Sequence, residues 1–123
     1  MDLSALRQQV LFQTGGDAED VQDYLPHLTQ YLNEGYDRLL MAACGRHVGE
    51  GAEENPPLSH DRSTPNLPAW THRAIADWAT WLICRNGNAQ RQNRGYAFRR
   101  AFEEVESRLR GARSGRFITH IPN

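Results

Sequence analysis

The spacing of apolar residues predicts four helices separated by glycine-rich and proline-rich breaks. The first helix, over residues 2–13, has apolar side chains three and four positions apart: Leu3, Leu6, Val10 and Leu11. The Thr14-Gly15-Gly16 sequence is predicted to end it. The second and strongest pattern runs to about Cys44, with apolar positions Val21, Leu25, Leu28, Leu32 and Leu39. Gly45 is its expected C-cap.

Pro26 interrupts the second pattern near its beginning. A proline inside a helix removes a hydrogen bond and costs roughly 3 kcal/mol, so we expect Pro26 in the first turn. A separate short turn or helix would then cover residues 17–23, beginning with Asp17 as N-cap and Asp20 in an approximate capping-box position.

Residues 45–67 have few apolar side chains and contain three glycines and three prolines. This composition predicts a long surface loop, which is either functional or a tolerated insertion. A third helix then runs to about Arg85, with an apolar face made of Trp70, Ala74, Ile75, Trp78, Trp81 and Leu82. Pro68 suits its first turn.

The Asn86-Gly87-Asn88 sequence predicts a cap or kink before the last helix. That helix continues to about Arg110 on a core stripe of Phe98, Phe102, Val105 and Leu109. Gly111 is predicted to end it. The sequence therefore indicates an all-α fold: one small bundle of about four helices over residues 1–111, with a loop at 45–67 and an extended tail over 112–123.

The length of 123 residues and the 39% hydrophobic content fit a single domain. No apolar run reaches the roughly 18 residues of a membrane helix. The first 13 residues lack the pattern of a signal peptide. With two cysteines, Cys44 and Cys84, we expect reduced thiols and no disulfide framework.

Charge is distributed unevenly along the chain, although the net charge is only -1. All 14 basic residues are arginine. Residues 1–61 contain 11 acidic side chains and 3 arginines, whereas residues 62–123 contain 4 acidic side chains and 11 arginines. Such asymmetry indicates either a nucleic-acid site or two complementary faces, or it reflects attraction between the halves within one fold.

Candidate chemistry is sparse. Cys44, His47 and His60 begin with a Cys-x-x-His spacing, but a structural zinc site requires a second ligand pair. Cys84, close to Trp81 and Leu82, is expected to be a core thiol. Phosphate-binding loops and nucleophile motifs are absent from the sequence. We therefore predict no catalytic residue, no cofactor and no metal site, and we expect a protein that is not an enzyme.

The arginines of the second half suggest DNA contact. Those in the last helix have acidic residues four positions away, which neutralise them on an exposed face: Arg99 with Glu103, Arg100 with Glu104, Glu104 with Arg108, and Glu106 with Arg110. Arg85, Arg91 and Arg94 have no such neighbour. These three are the candidates for contact with a DNA backbone, without sequence readout.

Two stretches of the chain resemble a known family. The first is Tyr24-Leu25-Pro26-His27-Leu28 followed by Tyr31-Leu32-Asn33-Glu34-Gly35-Tyr36-Asp37-Arg38-Leu39-Leu40. The second is Leu67-Pro68-Ala69-Trp70, then Ala76-Asp77-Trp78-Ala79-Thr80-Trp81-Leu82 and Arg85-Asn86-Gly87-Asn88. Together they resemble the head-tail connector (adaptor) proteins of tailed phages and prophages, over about residues 3–110. These motifs are packing patterns rather than catalytic signatures.

The resemblance implies a virion structural protein of the neck region, assembled in the host cytoplasm. Such proteins form a homo-oligomeric ring under the portal protein, extend the DNA channel and support a tail or stopper protein, without a cofactor or membrane. Family members reach the portal through a C-terminal segment, which implies a docking role here for Arg113, Arg116, Phe117, Ile118 and Ile121. The ring interface is expected to use Asp17, Glu19, Asp20, Arg99 and Arg100. The alternative is a small DNA-binding phage protein, either a packaging-enzyme small subunit or a regulator.

Overall fold

The protein is all-α, as the sequence predicts. A computed structural model describes residues 1–15, 23–50 and 55–119, with side chains up to residue 113. It contains four helices: α1 (Leu3–Thr14), α2 (Leu28–Cys44), α3 (His72–Cys84) and α4 (Ala89–Thr119). Single 3-10 turns over Leu25–His27 and Ala69–Thr71 precede α2 and α3. Strands are absent from the described part of the chain.

Helix α3 occupies the centre of the bundle. Eleven of its thirteen residues are buried, because α1, α2 and α4 all pack against it. Leu67 and Pro68, just before α3, share a cavity with the end of α2, and Ile83 at the end of α3 shares one with Tyr24 and Tyr31. Helix α3 is therefore antiparallel to α2, and α4 returns along it in the direction of α2. Most of the predicted apolar positions form this core, including the fully buried Phe102, and Tyr36 completes it. Phe98 of the predicted α4 stripe lines a surface groove instead, so its assignment to the core was wrong.

The helix ends follow from local capping chemistry. Asp2 caps α1 by accepting a hydrogen bond from the backbone N–H of Ala5 at 2.8 Å. Gly15 and Gly45 end α1 and α2 with φ values of 82° and 73°, a conformation that glycine adopts without steric cost. Asn88 caps α4 by accepting from the N–H of Arg91 at 2.9 Å. The predicted ends of α1 and α2 are therefore confirmed.

At the beginning of α2, the position of Pro26 agrees with the prediction, but Leu25 does not belong to the core as predicted. Pro26 lies in the 3-10 turn directly before the helix, where its missing N–H costs little. Leu28 is buried, but Leu25 is 46% exposed, so its assignment to the core was wrong. The 3-10 turn changes the helical phase and rotates Leu25 away from α3. A separate short turn or helix was predicted over residues 17–23; Asp23 is helical, and residues 17–22 lie outside the described part.

Residues 55–67, here called the strap, contain no helix or strand and are mostly exposed, as predicted for a surface loop, but they are firmly attached to the bundle. Leu58 is buried, and its backbone N–H and C=O both bond the side chain of Asn33, at 2.8 and 2.9 Å. The first N–H groups of α1 donate to strap carbonyls: Leu3 to Ser63 at 2.8 Å and Ser4 to Asp61 at 3.1 Å. The strap therefore satisfies backbone groups that α1 leaves unpaired.

Helix α4 is longer than predicted. The sequence predicted an end at Gly111 and an extended tail over 112–123, but the helix continues to Thr119. A glycine ends a helix when it adopts a left-handed conformation, and Gly111 does not have a positive φ. A helical glycine costs only about 1 kcal/mol relative to alanine, so the helix passes through it. Residues 120–123 of the predicted tail lie outside the described part.

Two glycines of α4 differ in what surrounds them, which gives a matched pair of variants. A Cβ at Gly95 would lie 2.7 Å from Cys84 Cβ, whereas one at Gly111 meets no atom within 4 Å. We expect Gly95→Ala to lower the free energy of unfolding by about 1–3 kcal/mol, because α3 and α4 must separate. Gly111→Ala should raise it by up to about 1 kcal/mol. Urea denaturation measures both, and a stabilised Gly95→Ala protein would contradict this close approach.

Candidate assembly and DNA-contact surfaces

The three candidate DNA-contact arginines lie together at one end of the bundle. Arg85 is the exposed C-cap of α3, and Arg91 and Arg94 belong to the first turns of α4. The charges of Arg91 and Arg94 act on the thiol of Cys84, which is buried as predicted. Burial raises the pKa of Cys84, and the charges of Arg91 and Arg94 lower it by a smaller amount. The fold thus brings the positive charges of these arginines together at one end of the bundle. Their contact with DNA stays a prediction.

The proposed ring interface is only partly described. Arg99 is exposed, forms a salt bridge to Glu103 at 3.0 Å, and holds its guanidinium 5.3 Å from the ring centre of Trp81. This confirms the predicted pairing of Arg99 with Glu103. Arg100 is exposed on the same helix. The acidic candidates Asp17, Glu19 and Asp20 lie outside the described residues, so their pairing with these arginines stays a prediction.

The candidate docking residues belong to the end of α4. Arg113 is exposed and donates a hydrogen bond to the carbonyl of Met41 at 3.2 Å, which ties α4 to the last turn of α2. Arg116, Phe117 and Ile118 belong to the last turns of α4, and Ile121 lies outside the described part. The prediction placed these residues in an extended tail, whereas Arg113, Arg116, Phe117 and Ile118 are helical.

Arg113 also borders a cavity of about 430 Å³. The cavity lies between the end of α2, the strap and α4, and its apolar lining includes Leu40, Leu67 and Leu109. Arg46 lines it as well. Because its lining is apolar and arginines lie beside it, this cavity is suited to bind an apolar group that carries a negative charge.

The three residues weighed as zinc ligands have other surroundings. The thiol of Cys44 donates to the carbonyl of Leu40 at 3.3 Å, and Nδ1 of His47 lies 3.0 Å from the carboxylate of Asp37. His60 is exposed in the strap. Within the described ranges, no group of three or more histidine, cysteine, aspartate or glutamate side chains is arranged to hold a metal ion.

Sequence reasoning missed a half-buried ion pair between α2 and α4, here called the arginine clamp. Arg38 donates two hydrogen bonds to the carboxylate of Glu106, at 3.0 and 2.9 Å. Its guanidinium lies 4.4 Å from the ring centre of Trp78 and 5.2 Å from that of Phe102. Glu106 is only 8% exposed. Its predicted partner, Arg110, is present at the longer distance of 3.8 Å.

A second missed feature is an open groove of about 420 Å³ on α3, bordered by α4 and here called the α3–α4 groove. Asp77 of α3 lines it and is 7% exposed. Its Oδ1 accepts a hydrogen bond at 2.7 Å from Nε2 of Gln13, in the last turns of α1. Burial raises the pKa of Asp77 to about 6, and the bond from Gln13 and the charge of Arg73 oppose that rise.

Large aromatic side chains are exposed around this side of the molecule. Trp70, which lines the α3–α4 groove, is 51% exposed, and the guanidinium of Arg108 lies 4.8 Å from its ring centre. The apolar face predicted for α3 included Trp70, which was wrong because Trp70 lies in the 3-10 turn before the helix. Phe12 of α1 is 81% exposed. Exposed aromatic rings of this size are typical of surfaces that contact partners.

Comparison with family models, with curated proteins and with solved structures gave no match for this chain. None of the helices in the described ranges combines the length and the apolar character needed to cross a bilayer.

Proposed function

We propose that this chain is a virion structural protein, a head-tail connector that assembles as a ring under a phage portal, extends the DNA channel and supports tail attachment. The all-α bundle is compatible with that role. The proposed partners are other copies of this chain, the portal protein, a tail or stopper protein, and DNA contacted without sequence preference. The proposed location is the virion neck, after assembly in the host cytoplasm.

The observation that carries the proposal is where the two connector-like stretches lie. They form α2 and α3, which cross at Gly35 in the core. A Cβ at Gly35 would be 3.1 Å from Cβ of Trp78 and 3.2 Å from the carbonyl of Ile75, so a larger residue would require these neighbours to move by a few tenths of an ångström. The resemblance therefore includes a position at the close approach of α2 and α3, in addition to exposed positions such as Leu25 and Trp70.

Two further features support the proposal. A domain of 123 residues cannot enclose a DNA-wide channel alone, so such a role requires several copies. Helix α4, about 46 Å long, continues past Leu109, the last buried residue among its described side chains. This helical extension takes the place of the extended docking tail that the sequence predicted.

The first experiment is to read the genes on either side of this one. Neighbours that encode portal, capsid and tail proteins would support the proposal and supply the portal for reconstitution. Electron microscopy of the mixed proteins should then show a ring of this chain on the portal. Metabolic neighbours, or a portal that remains bare at saturating protein, would contradict it.

We expect Arg100→Glu to weaken ring formation or portal docking at least tenfold while leaving the helical circular dichroism signal unchanged. The reason is that Arg100 is exposed on α4, so reversing its charge alters a contact surface rather than the core. Arg62→Glu, in the exposed part of the strap, makes the same change of charge and is the control. Equal assembly of both variants, measured by sedimentation with portal present, would remove Arg100 from the interface.

A second candidate function is a small DNA-binding phage protein, favoured by one observation. Residues 85–102 contain five arginines and no acidic residue, and Arg85, Arg91 and Arg94 lie together. Duplex DNA binding at micromolar protein that falls steeply with salt would favour this function. Unchanged electrophoretic mobility of DNA at low salt would exclude it.

A further inference from the structure

The cavity between the end of α2, the strap and α4, here called the α2–α4 cavity, has an apolar floor and an exposed rim. Leu40 of α2 and Leu109 of α4 line it and are 2% and 6% exposed. Arg113 and Ala112 are exposed at its rim. Its volume of about 430 Å³ is within the range of small-molecule sites, which combine apolar walls with a few polar groups.

The end of α2 holds the guanidinium of Arg113 at this rim. Nη1 of Arg113 donates to the carbonyl of Met41 at 3.2 Å. The same atom lies against Gly45, where an added Cβ would be 2.9 Å from it. An arginine carries several N–H donors in a planar fork, and only one of them is used for Met41. The guanidinium is therefore fixed in position while further donors remain for a ligand.

The carboxylates that share a second space with Arg113 have other partners. This space, of about 310 Å³, is lined by Asp37 and Glu106 as well as by Arg113. Glu106 accepts two hydrogen bonds from Arg38, and Asp37 pairs with His47. Arg113 forms no salt bridge with an acidic side chain in the part of the chain that the structure describes. Its positive charge is thus able to attract an anionic ligand.

The amide side chains in the lining of the cavity bond each other. Nδ2 of Asn66 donates to Oδ1 of Asn55 at 2.9 Å, and the backbone N–H of Asn66 donates to the hydroxyl of Tyr36 at 3.0 Å. A peptide would bring an N–H and a C=O group with each residue, and burying such groups without partners is costly. An alkyl chain requires no hydrogen bonds, so it fits these walls better than a peptide does.

We infer that the α2–α4 cavity is a binding site for a free alkyl carboxylate, the class of compound to which fatty acids belong. The alkyl chain packs on Leu40 and Leu109, and the carboxylate accepts hydrogen bonds from the guanidinium of Arg113. This site goes beyond the connector proposal and does not depend on it, because one copy of the chain supplies all of these residues.

Cys44 provides a direct measure of whether the cavity is occupied. Its thiol is exposed and lines the cavity, whereas Cys84, the second cysteine of the chain, is buried. A ligand in the cavity covers Cys44 and slows its alkylation by iodoacetamide, a small uncharged reagent. Peptide mapping by mass spectrometry follows the two cysteines separately, so Cys84 serves as the internal standard.

The test is a titration of the full chain with sodium octanoate at pH 7.5, followed by the methyl NMR signals of Leu40 and Leu109 and by the alkylation rate of Cys44. n-Octanol is the matched ligand, because it has the same chain length and no charge. We expect saturable methyl shifts with octanoate, slower alkylation of Cys44 at saturation, and binding of octanol at least tenfold weaker than that of octanoate.

Three variants locate the ligand. Arg113→Gln keeps an N–H donor but removes the charge, and it should weaken octanoate binding at least tenfold while octanol binding stays unchanged. Arg110→Gln removes the same charge from the same helix outside the cavity lining, and it should bind octanoate nearly as wild type does. Ala112→Phe fills the cavity from its exposed rim and should abolish the binding of both ligands.

Three results would overturn the inference. The first is the absence of saturable methyl shifts with octanoate in the wild-type protein. The second is equal affinity for octanoate and octanol, or for octanoate in the wild-type and Arg113→Gln proteins, because Arg113 then does not bind a carboxylate. The third is unchanged binding by Ala112→Phe, which would place the ligand elsewhere. These measurements need no portal and no ring, so their outcome and that of the connector proposal are independent.

Discussion

Replacing Glu106 by alanine is expected to lower the free energy of unfolding by about 3 kcal/mol. Removing one member of a buried ion pair leaves the other charge without its partner, which costs about 3–5 kcal/mol in fully buried sites. The side chain of Arg38 is 43% exposed, so water solvates its charge in part. The expected loss is therefore at the lower end of this range, about 3 kcal/mol. The measurement is urea denaturation at pH 7, with wild type and variant under the same conditions.

Glu103 provides the matched control for Glu106. It belongs to the same helix and pairs with Arg99, but both side chains are about half exposed. An exposed pair four residues apart contributes about 0.3–0.5 kcal/mol, so Glu103→Ala should change stability by that amount. If the two alanine variants lose equal stability, the arginine clamp does not hold α2 to α4. The Arg38→Ala, Glu106→Ala double variant then isolates the coupling energy of the clamp.

Replacing Asp77 by asparagine is expected to stabilise the protein by about 2 kcal/mol at pH 8. The pKa of Asp77 is about 6 in the folded protein, above its usual value of 3.8. Between these two values the unfolded chain releases the proton while the folded protein keeps it, so stability falls as the pH rises through this window. Above pH 6 the full loss is present, on the order of 3 kcal/mol. Asparagine remains neutral at every pH and therefore removes this loss of stability.

The amide of asparagine also completes a local hydrogen-bond pair. Its N–H group can donate to Oε1 of Gln13, which is buried without a partner, while its carbonyl accepts from Nε2. Urea denaturation at pH 4 and pH 8 should show nearly equal stabilities at pH 4 and a clear gain for Asp77→Asn at pH 8. A variant less stable than wild type at pH 8 would show that the charged carboxylate is favourable in the folded protein.

Because Asp77→Asn is expected to gain stability, the acidic residue at position 77 requires an explanation other than stability. A group that lowers stability and borders an open groove is typical of a functional surface, since binding sites often depart from the arrangement that maximises stability. A fold-stabilising role for the carboxylate predicts the opposite change in stability, so urea denaturation of Asp77→Asn at pH 8 separates these explanations.

Much of the fold could be predicted because it follows from local rules. Residues such as Leu28, Leu32 and Leu39 recur at helical intervals and are buried against α3. Gly15 and Gly45 end helices because each occurs where an apolar stripe stops, and both have positive φ. Gly111 follows the same sequence pattern, yet the helix continues through it. Sequence alone does not show which glycine adopts the left-handed conformation, because that depends on the surrounding backbone.

The candidate site was harder to predict because its contacts join residues far apart in sequence. Glu106 lies four residues from Arg110, and the local pairing rule selected that partner. Its shorter hydrogen bonds go to Arg38, 68 residues away, across the crossing of α2 and α4. Asp77 and Gln13 are 64 residues apart. Whether such a polar group is buried depends on how the helices pack. The order of charged residues along the sequence does not show this.

The strap also affects how the chain folds. The amide groups of Leu3 and Ser4 at the beginning of α1 find their acceptors on residues 63 and 61, about sixty positions later. The strap itself depends on α2, through the two bonds between Leu58 and Asn33. The N-terminal turn of α1 therefore has its full set of backbone bonds only when the strap is in place on α2. We expect this turn and the strap to form one cooperative unit that opens together, ahead of the rest of the bundle.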